Sequence, residues 1–286
     1  MSWAKFNRLS SSKDLSIFRR GTTASDNGGG GGGNDPDAQA YIDALDAAGY
    51  TVSGAEETAI NTFVLALKAD GIWAKSKAIY PFIGGTAATH KFNLKDPRDL
   101  DAAFRLTFFG GWTHSATGAL PNGTNGYADT FIVKNTMASN SVAFGAYVRN
   151  NDTTIRAEMG VTDLGGWNTL ISGVIYSAIN NSNPQLVGSI ATSVGFTHST
   201  LTPVSTFHEV YRNGSLFATC AAASSTGTVG STHNYYIAAH NNNGSTIWYS
   251  NKELALAFFS DGIDATESAN LYTAVQALQT ALNREV

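Results

Sequence analysis

The sequence has a single cysteine, no long apolar run and few basic residues outside its first segment. Because Cys220 is the only cysteine in 286 residues, no disulfide can form within the chain and stability must come from packing. No apolar stretch approaches the roughly 20 residues that a helix needs to cross a bilayer. The first residues also mix charge into the segment where a signal peptide would be apolar. We therefore expect a soluble protein, made in a cytoplasm, with no membrane partner.

The basic residues are concentrated at the start of the chain. The first twenty residues hold five basic side chains and one acidic side chain, whereas the remaining 266 hold thirteen basic and twenty-one acidic ones. Nucleic-acid binding needs a basic face that neutralises phosphates. Because the body of the chain is acidic, we expect no nucleic-acid partner.

Six consecutive glycines, from Gly28 to Gly33, divide the chain into two unequal parts. Glycine loses more backbone entropy on ordering than any other residue, so such a run is typical of a flexible tether. We interpret residues 27–34 as a linker and residues 1–26 as a basic arm that orders on the surface of a partner protein. The candidate anchoring residues of the arm are Trp3, Lys5, Phe6, Arg8, Leu9, Lys13, Leu15, Phe18, Arg19 and Arg20.

Helical patterns stand on both sides of the central region. A cap residue at Asp35 and a capping box of Ser53 with Glu56 mark the starts of two helices. Apolar residues recur at intervals of three and four behind each start, which predicts a helical hairpin over residues 35–71. The same signals after Asp264 predict a helix that closes the chain.

Between the helices the apolar period changes from 3.6 to 2, which is typical of β-strands. The alternating stretches predict strands near residues 104–108, 142–148, 155–161 and 254–258. Asn213-Gly214 between two apolar runs predicts a tight hairpin turn. Many short strands separated by turn residues are typical of a sandwich or jelly roll. The predicted fold is therefore mainly β: an antiparallel jelly-roll (concanavalin A-like) sandwich over residues 72–286, carrying the C-terminal helix.

Motifs for cofactor and metal chemistry are weak in this sequence. The glycine run satisfies a nucleotide-binding pattern only trivially, because no strand precedes it. His208-Glu209 begins like a zinc-protease motif, but Arg212 stands where the second histidine belongs. Cys220 has no basic partner nearby in sequence. We therefore expect no cofactor and no metal ion.

A glycoside hydrolase would need two carboxyl groups flanking one glycosidic bond. In the strand region, only Asp99 and Asp101 have a suitable spacing, and they follow Pro97. We interpret this pair as a capped turn with Arg98 or Arg105 as ion partner, and metal binding is the alternative. The chain is therefore predicted not to be an enzyme.

Sugar binding without catalysis fits the composition better. Aromatic side chains stack on pyranose rings, and neighbouring polar groups hydrogen-bond at the rim. Tryptophans near predicted loops are the candidates, although tryptophans in sandwiches also pack against the opposite sheet. The candidate glycan-binding residues are Trp112, His114, Trp167 and Trp248.

Four stretches carry a family resemblance. They are Ile79–Thr86, Phe92–Asp99, Asn122–Thr130 and Leu271–Leu282. Together they resemble the concanavalin A-like (laminin-G-like) domain of bacteriophage virion proteins, with the last stretch similar to its closing helix. The resemblance covers about residues 36–286. It implies a jelly roll in a fibre, tail or capsid-decorating protein, and it implies no catalytic set.

From these features we expect a structural protein of a bacteriophage virion, made in the host bacterial cytoplasm. The arm would bind another virion protein (capsid, portal, tail or fibre), and the jelly roll would be displayed on the particle as a homo-oligomer or multicopy array. Many tethered copies would turn weak contacts with host surface glycans into avidity. A polysaccharide-degrading enzyme and a fibre-assembly or oligomerisation module are the alternatives.

Overall fold

A computed structural model of the protein describes residues 33–152, 154, 156–161, 166–171, 174–179, 185–205, 207–220 and 232–286. For residues 166–171, 174 and 185–186 it describes the backbone alone. The predicted arm, all of its anchoring residues and most of the predicted linker therefore lie outside the described residues.

The helices are α1 (Pro36–Ala47), α2 (Gly54–Ala69), α3 (Ile72–Lys75), α4 (Ala87–His90) and α5 (Ala265–Ala281), with 3₁₀ turns at Asp101–Ala103 and Lys134–Thr136. Three of the helices, α1, α2 and α5, begin where their cap residues predict. Asp35 caps α1, accepting a hydrogen bond from the backbone N–H of Asp37 at 3.0 Å. Ser53 and Glu56 form the predicted capping box of α2, and Asp264 begins an equivalent box at α5.

The strands pair into two sheets and one short hairpin. They are β1 (Ser76–Tyr80), β2 (Thr107–Phe109), β3 (Trp112–Ser115), β4 (Gly118–Pro121), β5 (Tyr127–Val133), β6 (Val142–Val148), β7 (Arg156–Gly160), β8 (Gly166–Ile171), β9 (Val174–Ile179), β10 (Gln185–Ser189), β11 (Gly195–Leu201), β12 (His208–Arg212), β13 (Ser215–Cys220), β14 (Asn234–Ile237), β15 (His240–Asn242), β16 (Ser245–Ile247) and β17 (Leu254–Ser260). The inner sheet has the order β13-β12-β11-β6-β17-β4-β3, with β1 also paired to β17. The outer sheet has the order β10-β9-β8-β7-β14-β5-β2, and β15 pairs with β16.

The inner sheet is covered on both faces. On one face, α1, α2 and α5 pack their apolar stripes against it, so that Tyr41 and Phe63 share a core with Phe258. On the other face, Phe144 and Phe259 pack against the outer sheet. Every residue of β6 and of β17 is consequently buried, as expected for strands that have no solvent side.

These layers confirm the predicted antiparallel jelly-roll sandwich with its N-terminal helical hairpin and C-terminal helix. The predicted turn at Asn213-Gly214 is also present, with φ values of 47° and 76°. The strand predicted near residues 104–108 is partly wrong, because Phe104 ends a 3₁₀ turn in the left-handed conformation (φ 58°). The strand β2 begins only at Thr107.

Gly145 of β6 pairs with His198 of β11 in the inner sheet, and it leaves no room for a side chain. A Cβ atom there would lie 2.3 Å from Cβ of His198 and 2.5 Å from the carbonyl oxygen of Thr197. We expect Gly145→Ala to lower the unfolding free energy by about 1–3 kcal/mol, because β6 and β11 must move apart. Urea denaturation measures this effect. Gly54→Ala is the matched control, since nothing lies within 4 Å of its added Cβ, and an equal loss in both variants would contradict the prediction.

Residues Asn34–Val286 form one compact unit. In the part of the chain that the structure describes, no helix is both long and apolar enough to cross a bilayer. Within the same residues, no group of three or more His, Cys, Asp or Glu side chains is placed to hold a metal ion.

Candidate functional site

The outer sheet turns one face away from the inner sheet. In β5, Ala128, Thr130 and Ile132 are buried, whereas the residues between them are partly exposed. Because successive side chains of a strand point to opposite sides, Tyr127 and Asp129 lie on the face opposite the core. This outward face is where the sandwich can meet a ligand.

Four aromatic side chains gather there, and we call them the aromatic shelf: Phe109, Tyr127, Tyr236 and Tyr249. Strand pairing places Phe109 of β2 opposite Tyr127 of β5, and their rings stack at 4.9 Å with planes 12° apart. Tyr236 of β14 lies 4.6 Å from the Tyr127 ring, and Tyr249 lies 6.4 Å from it. Phe109 is 42% exposed, so the shelf presents an apolar ring surface to solvent.

A bulge in β5 positions a carboxylate beside the shelf. Tyr236 pairs with Asp129, whereas Asn234 pairs with Val133, so β5 carries two more residues than β14 over this stretch. The bulge brings Phe131 into the left-handed region (φ 56°), and its backbone N–H donates to Oδ1 of Asp129 at 2.8 Å. Bulges commonly redirect a side chain next to a functional site.

Asp129 is a partly buried acid whose hydrogen bonds come from neutral donors. Nδ2 of Asn234 donates to its two carboxylate oxygens at 3.0 and 3.2 Å. Burial raises the pKa of Asp129 against the effect of its hydrogen bonds, and the negative charge of Asp101 raises this pKa further. No lysine, arginine or histidine among the described residues forms an ion pair with Asp129. Burial and the nearby Asp129 likewise raise the pKa of Tyr236 to about 12, so its phenol stays neutral.

Two of the sequence-predicted residues, Trp112 and His114, lie together on β3. Nε1 of Trp112 donates to the carbonyl oxygen of Phe109 at 3.0 Å and lies 3.3 Å from that of Tyr127. Trp112 therefore bridges the inner sheet to β2 and β5, and its contacts support the shelf from behind. His114 stacks beside Trp112, with 5.9 Å between ring centroids.

His114 is tied to a second histidine. Nε2 of His90 accepts a hydrogen bond from the backbone N–H of Gly85 at 3.0 Å. The proton of a neutral His90 is therefore on Nδ1, which donates to Nδ1 of His114 at 2.9 Å. Burial, with smaller contributions from His114 and Arg284, lowers the pKa of His90 to about 3. The pair is consequently held in its neutral form.

Four buried histidines should make stability depend on pH. Burial lowers the pKa of His90 and His198 to about 3, and that of His208 and His240 to about 4, from the usual 6.5. The unfolded chain therefore takes up protons that the folded chain rejects as pH falls below 6.5. We expect the unfolding free energy to decrease in that direction, with a slope approaching about 1.4 kcal/mol per pH unit for each histidine.

Urea denaturation at about pH 7 and about pH 5 checks this pH dependence. His90→Gln should reduce the slope of the unfolding free energy against pH by the contribution of one histidine. An unfolding free energy that stays constant across this interval would show that the buried rings do not exclude protons.

The other two predicted sugar-binding residues, Trp167 and Trp248, lie outside β3, the strand of Trp112 and His114. Trp248 follows β16 and lies beside His240, with 5.3 Å between ring centroids. Trp167 belongs to β8, and its side chain lies outside the described residues. Sequence reasoning missed the aromatic shelf, although the alternation of Tyr127 and Asp129 with buried neighbours is a signal that could have indicated it.

The predicted acid pair forms a charged turn. Asp99 pairs with Lys91 and Arg105, and Asp101 pairs with Arg105, in agreement with one of the two predicted ion partners. The other predicted partner, Arg98, pairs with Asp96 instead. A surface pocket of about 410 Å³ lies next to this turn and is lined mainly by alanine, proline and Phe92 side chains.

No protein-family model and no curated protein sequence matches the chain. Among solved structures, it is similar to a mutant of Trypanosoma rangeli sialidase displaying trans-sialidase activity, with 11% identity and a TM-score of 0.54 over 77% of this chain and 39% of that one. It also matches domain 4 of AbnA, a GH43 extracellular arabinanase from Geobacillus stearothermophilus in complex with arabinotriose (15% identity, TM-score 0.46, 69% and 98% of the two chains). A structure of botulinum neurotoxin type C, whose cell entry depends on two ganglioside molecules, matches with 12% identity and a TM-score of 0.44 over 61% and 48%.

These comparisons correct one prediction. The chain was predicted not to be an enzyme. However, 77% of its residues share the fold of a sialidase, and that sialidase is an enzyme. The match spans 39% of the sialidase chain, and 11% identity shows a common β-sandwich fold alone. The absence of a catalytic motif in the sequence is therefore no ground for excluding enzymatic activity.

Proposed function

We propose that this chain is a glycan-binding protein displayed on a bacteriophage particle, with the aromatic shelf as its binding surface. The observation that carries the proposal is the juxtaposition of an exposed ring stack and a carboxylate on the outward face. Phe109 offers an apolar surface to the C–H face of a sugar ring, while Asp129 accepts hydrogen bonds from its hydroxyl groups. Such a combination of stacking and hydrogen bonding is what a pyranose requires.

The rigidity of the shelf supports this proposal. Phe109, Tyr127 and Tyr236 stand on three neighbouring strands, and Trp112 pins two of those strands from the inner sheet. Sites built on strands hold their geometry better than sites on loops. Little side-chain ordering is therefore needed when a sugar binds.

A glycan array tests the binding surface. We expect the full-length protein to bind a subset of sugars, and the double variant Phe109→Ala/Tyr236→Ala to lose that binding while keeping its circular dichroism spectrum. Leu65→Ala is the matched control, because Leu65 is a comparably exposed apolar side chain on α2. Equal binding by wild type and double variant, or no binding of any glycan, would contradict the proposal.

The virion location is supported by the sequence resemblance and by the basic arm. Antibodies against the protein should label intact phage particles in electron microscopy, and deletion of residues 1–26 should remove the protein from purified particles. Particles that retain the truncated chain in normal amount would contradict anchoring by the arm.

Glycan cleavage is a second candidate, and the environment of Asp129 is the observation that favours it. A carboxyl group whose pKa is raised by burial can act as a general acid. Asp101 is a second carboxyl group close enough for its negative charge to raise the pKa of Asp129. A reducing-end assay on the glycans bound in the array separates the two functions. Release that disappears in Asp129→Asn would establish cleavage at the shelf.

A further inference from the structure

The carboxylate of Asp129, beside the shelf, forms no ion pair with a basic side chain in the part of the chain that the structure describes. Asp129 receives hydrogen bonds from Asn234 and from the backbone of Phe131, both neutral donors. The negative charge of Asp101 raises the pKa of Asp129 beyond the effect of burial. Arg105, the basic residue next to Asp101, is engaged with Asp101 and Asp99. The local field around Asp129 therefore favours an incoming positive charge.

The rings beside Asp129 reinforce this preference. Tyr236 stands directly opposite Asp129 across the β5–β14 pair, and Tyr127 lies two residues away on the same face. The faces of aromatic rings carry negative potential and attract cations, by about 0.5–2 kcal/mol depending on exposure. None of the four shelf residues is basic, so an anionic sugar would find no cationic partner among them.

We propose that the ligand of the shelf is a glycan with free amino groups, such as an unacetylated hexosamine chain. This inference rests on the proposed glycan-binding function and names the ligand class of that same site. The ammonium group of the sugar contacts the carboxylate of Asp129 and the adjacent tyrosine rings, and the apolar face of the sugar ring lies on Phe109. An N-acetylated sugar retains the stacking contact but has lost the charge.

Calorimetric titration of the full-length protein with a glucosamine trimer and an N-acetylglucosamine trimer tests the proposal. At about pH 6 and low salt we expect the glucosamine trimer to bind at least about tenfold more tightly. In Asp129→Asn the ratio should fall to about threefold or less, while affinity for the acetylated trimer stays within about twofold of wild type. Retained binding of the acetylated trimer also shows that the variant is folded.

Asp46→Asn is the matched control, because it removes the same charge from an exposed position on α1. It should leave the ratio unchanged. In wild type, the ratio should also shrink at about 0.5 M salt, since screening weakens a partly exposed ion pair. This salt dependence needs no variant and so does not depend on the folding of Asp129→Asn.

Equal affinity of wild type for the two trimers, or a preference that survives in Asp129→Asn, would overturn the inference. Binding of neutral or acidic glycans in the array without binding of the glucosamine trimer would overturn it as well, and would leave the proposed glycan-binding function intact. If no glycan on the array binds the protein, both this inference and the proposed glycan-binding function are contradicted.

Discussion

Replacing Arg284 with alanine is expected to lower the unfolding free energy by about 3–5 kcal/mol. Arg284 follows α5 and is 1% exposed. Its guanidinium donates to the carbonyl oxygens of Pro81, Phe82 and Ala255 at 3.1 Å or less, and to Oε1 of Gln279 at 2.7 Å. It thus fastens the end of the chain to β17 and to the segment after β1. Alanine would remove the donor that Arg284 supplies to each of these buried acceptors.

Urea denaturation measures the loss, and two further variants make the test specific. Arg284→Lys keeps the charge but lacks the planar fork of donors, so we expect an intermediate loss. Arg98→Ala is the control, because Arg98 is exposed and forms an ion pair with Asp96. Exposed ion pairs contribute about 0–1 kcal/mol. If Arg284→Ala were as stable as Arg98→Ala, the buried guanidinium would not be the fastening element.

The second large effect concerns Tyr127, the central ring of the aromatic shelf. Its ring contacts those of Phe109, Tyr236 and Tyr249. Removing it leaves the other three rings without their common neighbour. We expect Tyr127→Ala to weaken glycan binding by about thirtyfold or more, the effect of a binding hot spot of about 2 kcal/mol.

Calorimetric titration with the tightest ligand from the array measures this change in affinity. Tyr50→Ala is the matched control, because Tyr50 is a partly buried tyrosine that bonds to Glu56 on the helical side of the molecule. Its loss should leave the affinity within about twofold. Equal affinities for Tyr127→Ala and wild type would place the ligand elsewhere.

Local sequence rules predicted much of the fold. The start of α1 follows from its cap residue, the starts of α2 and α5 follow from capping boxes, and the β12–β13 turn follows from Asn213-Gly214. Each of these features depends on residues within a few positions of one another. Where the prediction failed, at Phe104, a 3₁₀ turn overrides an alternating pattern that is otherwise typical of a strand.

The candidate site could not be derived in the same way. Tyr236 lies more than a hundred residues from Phe109 and Tyr127 in the sequence, and the three rings meet because of strand register and because of a bulge in β5. Neither register nor bulge has a reliable local signature. Tryptophans near loops were the stronger sequence signal, but Trp112 proved to be a bridge between sheets that supports the site from behind.

Arg284 shows the same limit for stability. A charged residue near the end of a chain reads as a solvated one, because arginine is rarely buried without a partner. Its burial depends on backbone carbonyl groups from two distant segments, at Pro81–Phe82 and at Ala255, that converge on it only in the folded state. The burial of Arg284 therefore could not be predicted from the residues near it in the sequence.

The most direct test of the glycan-binding surface is NMR spectroscopy of the protein with labelled phenylalanine and tyrosine side chains. On saturation with the tightest glycan from the array, the ring signals of Phe109, Tyr127 and Tyr236 should shift, while those of Tyr50 and Phe92 stay in place. Shifts confined to Phe92, beside the pocket near α1, with unchanged shelf signals would contradict the assignment of the aromatic shelf as the binding surface.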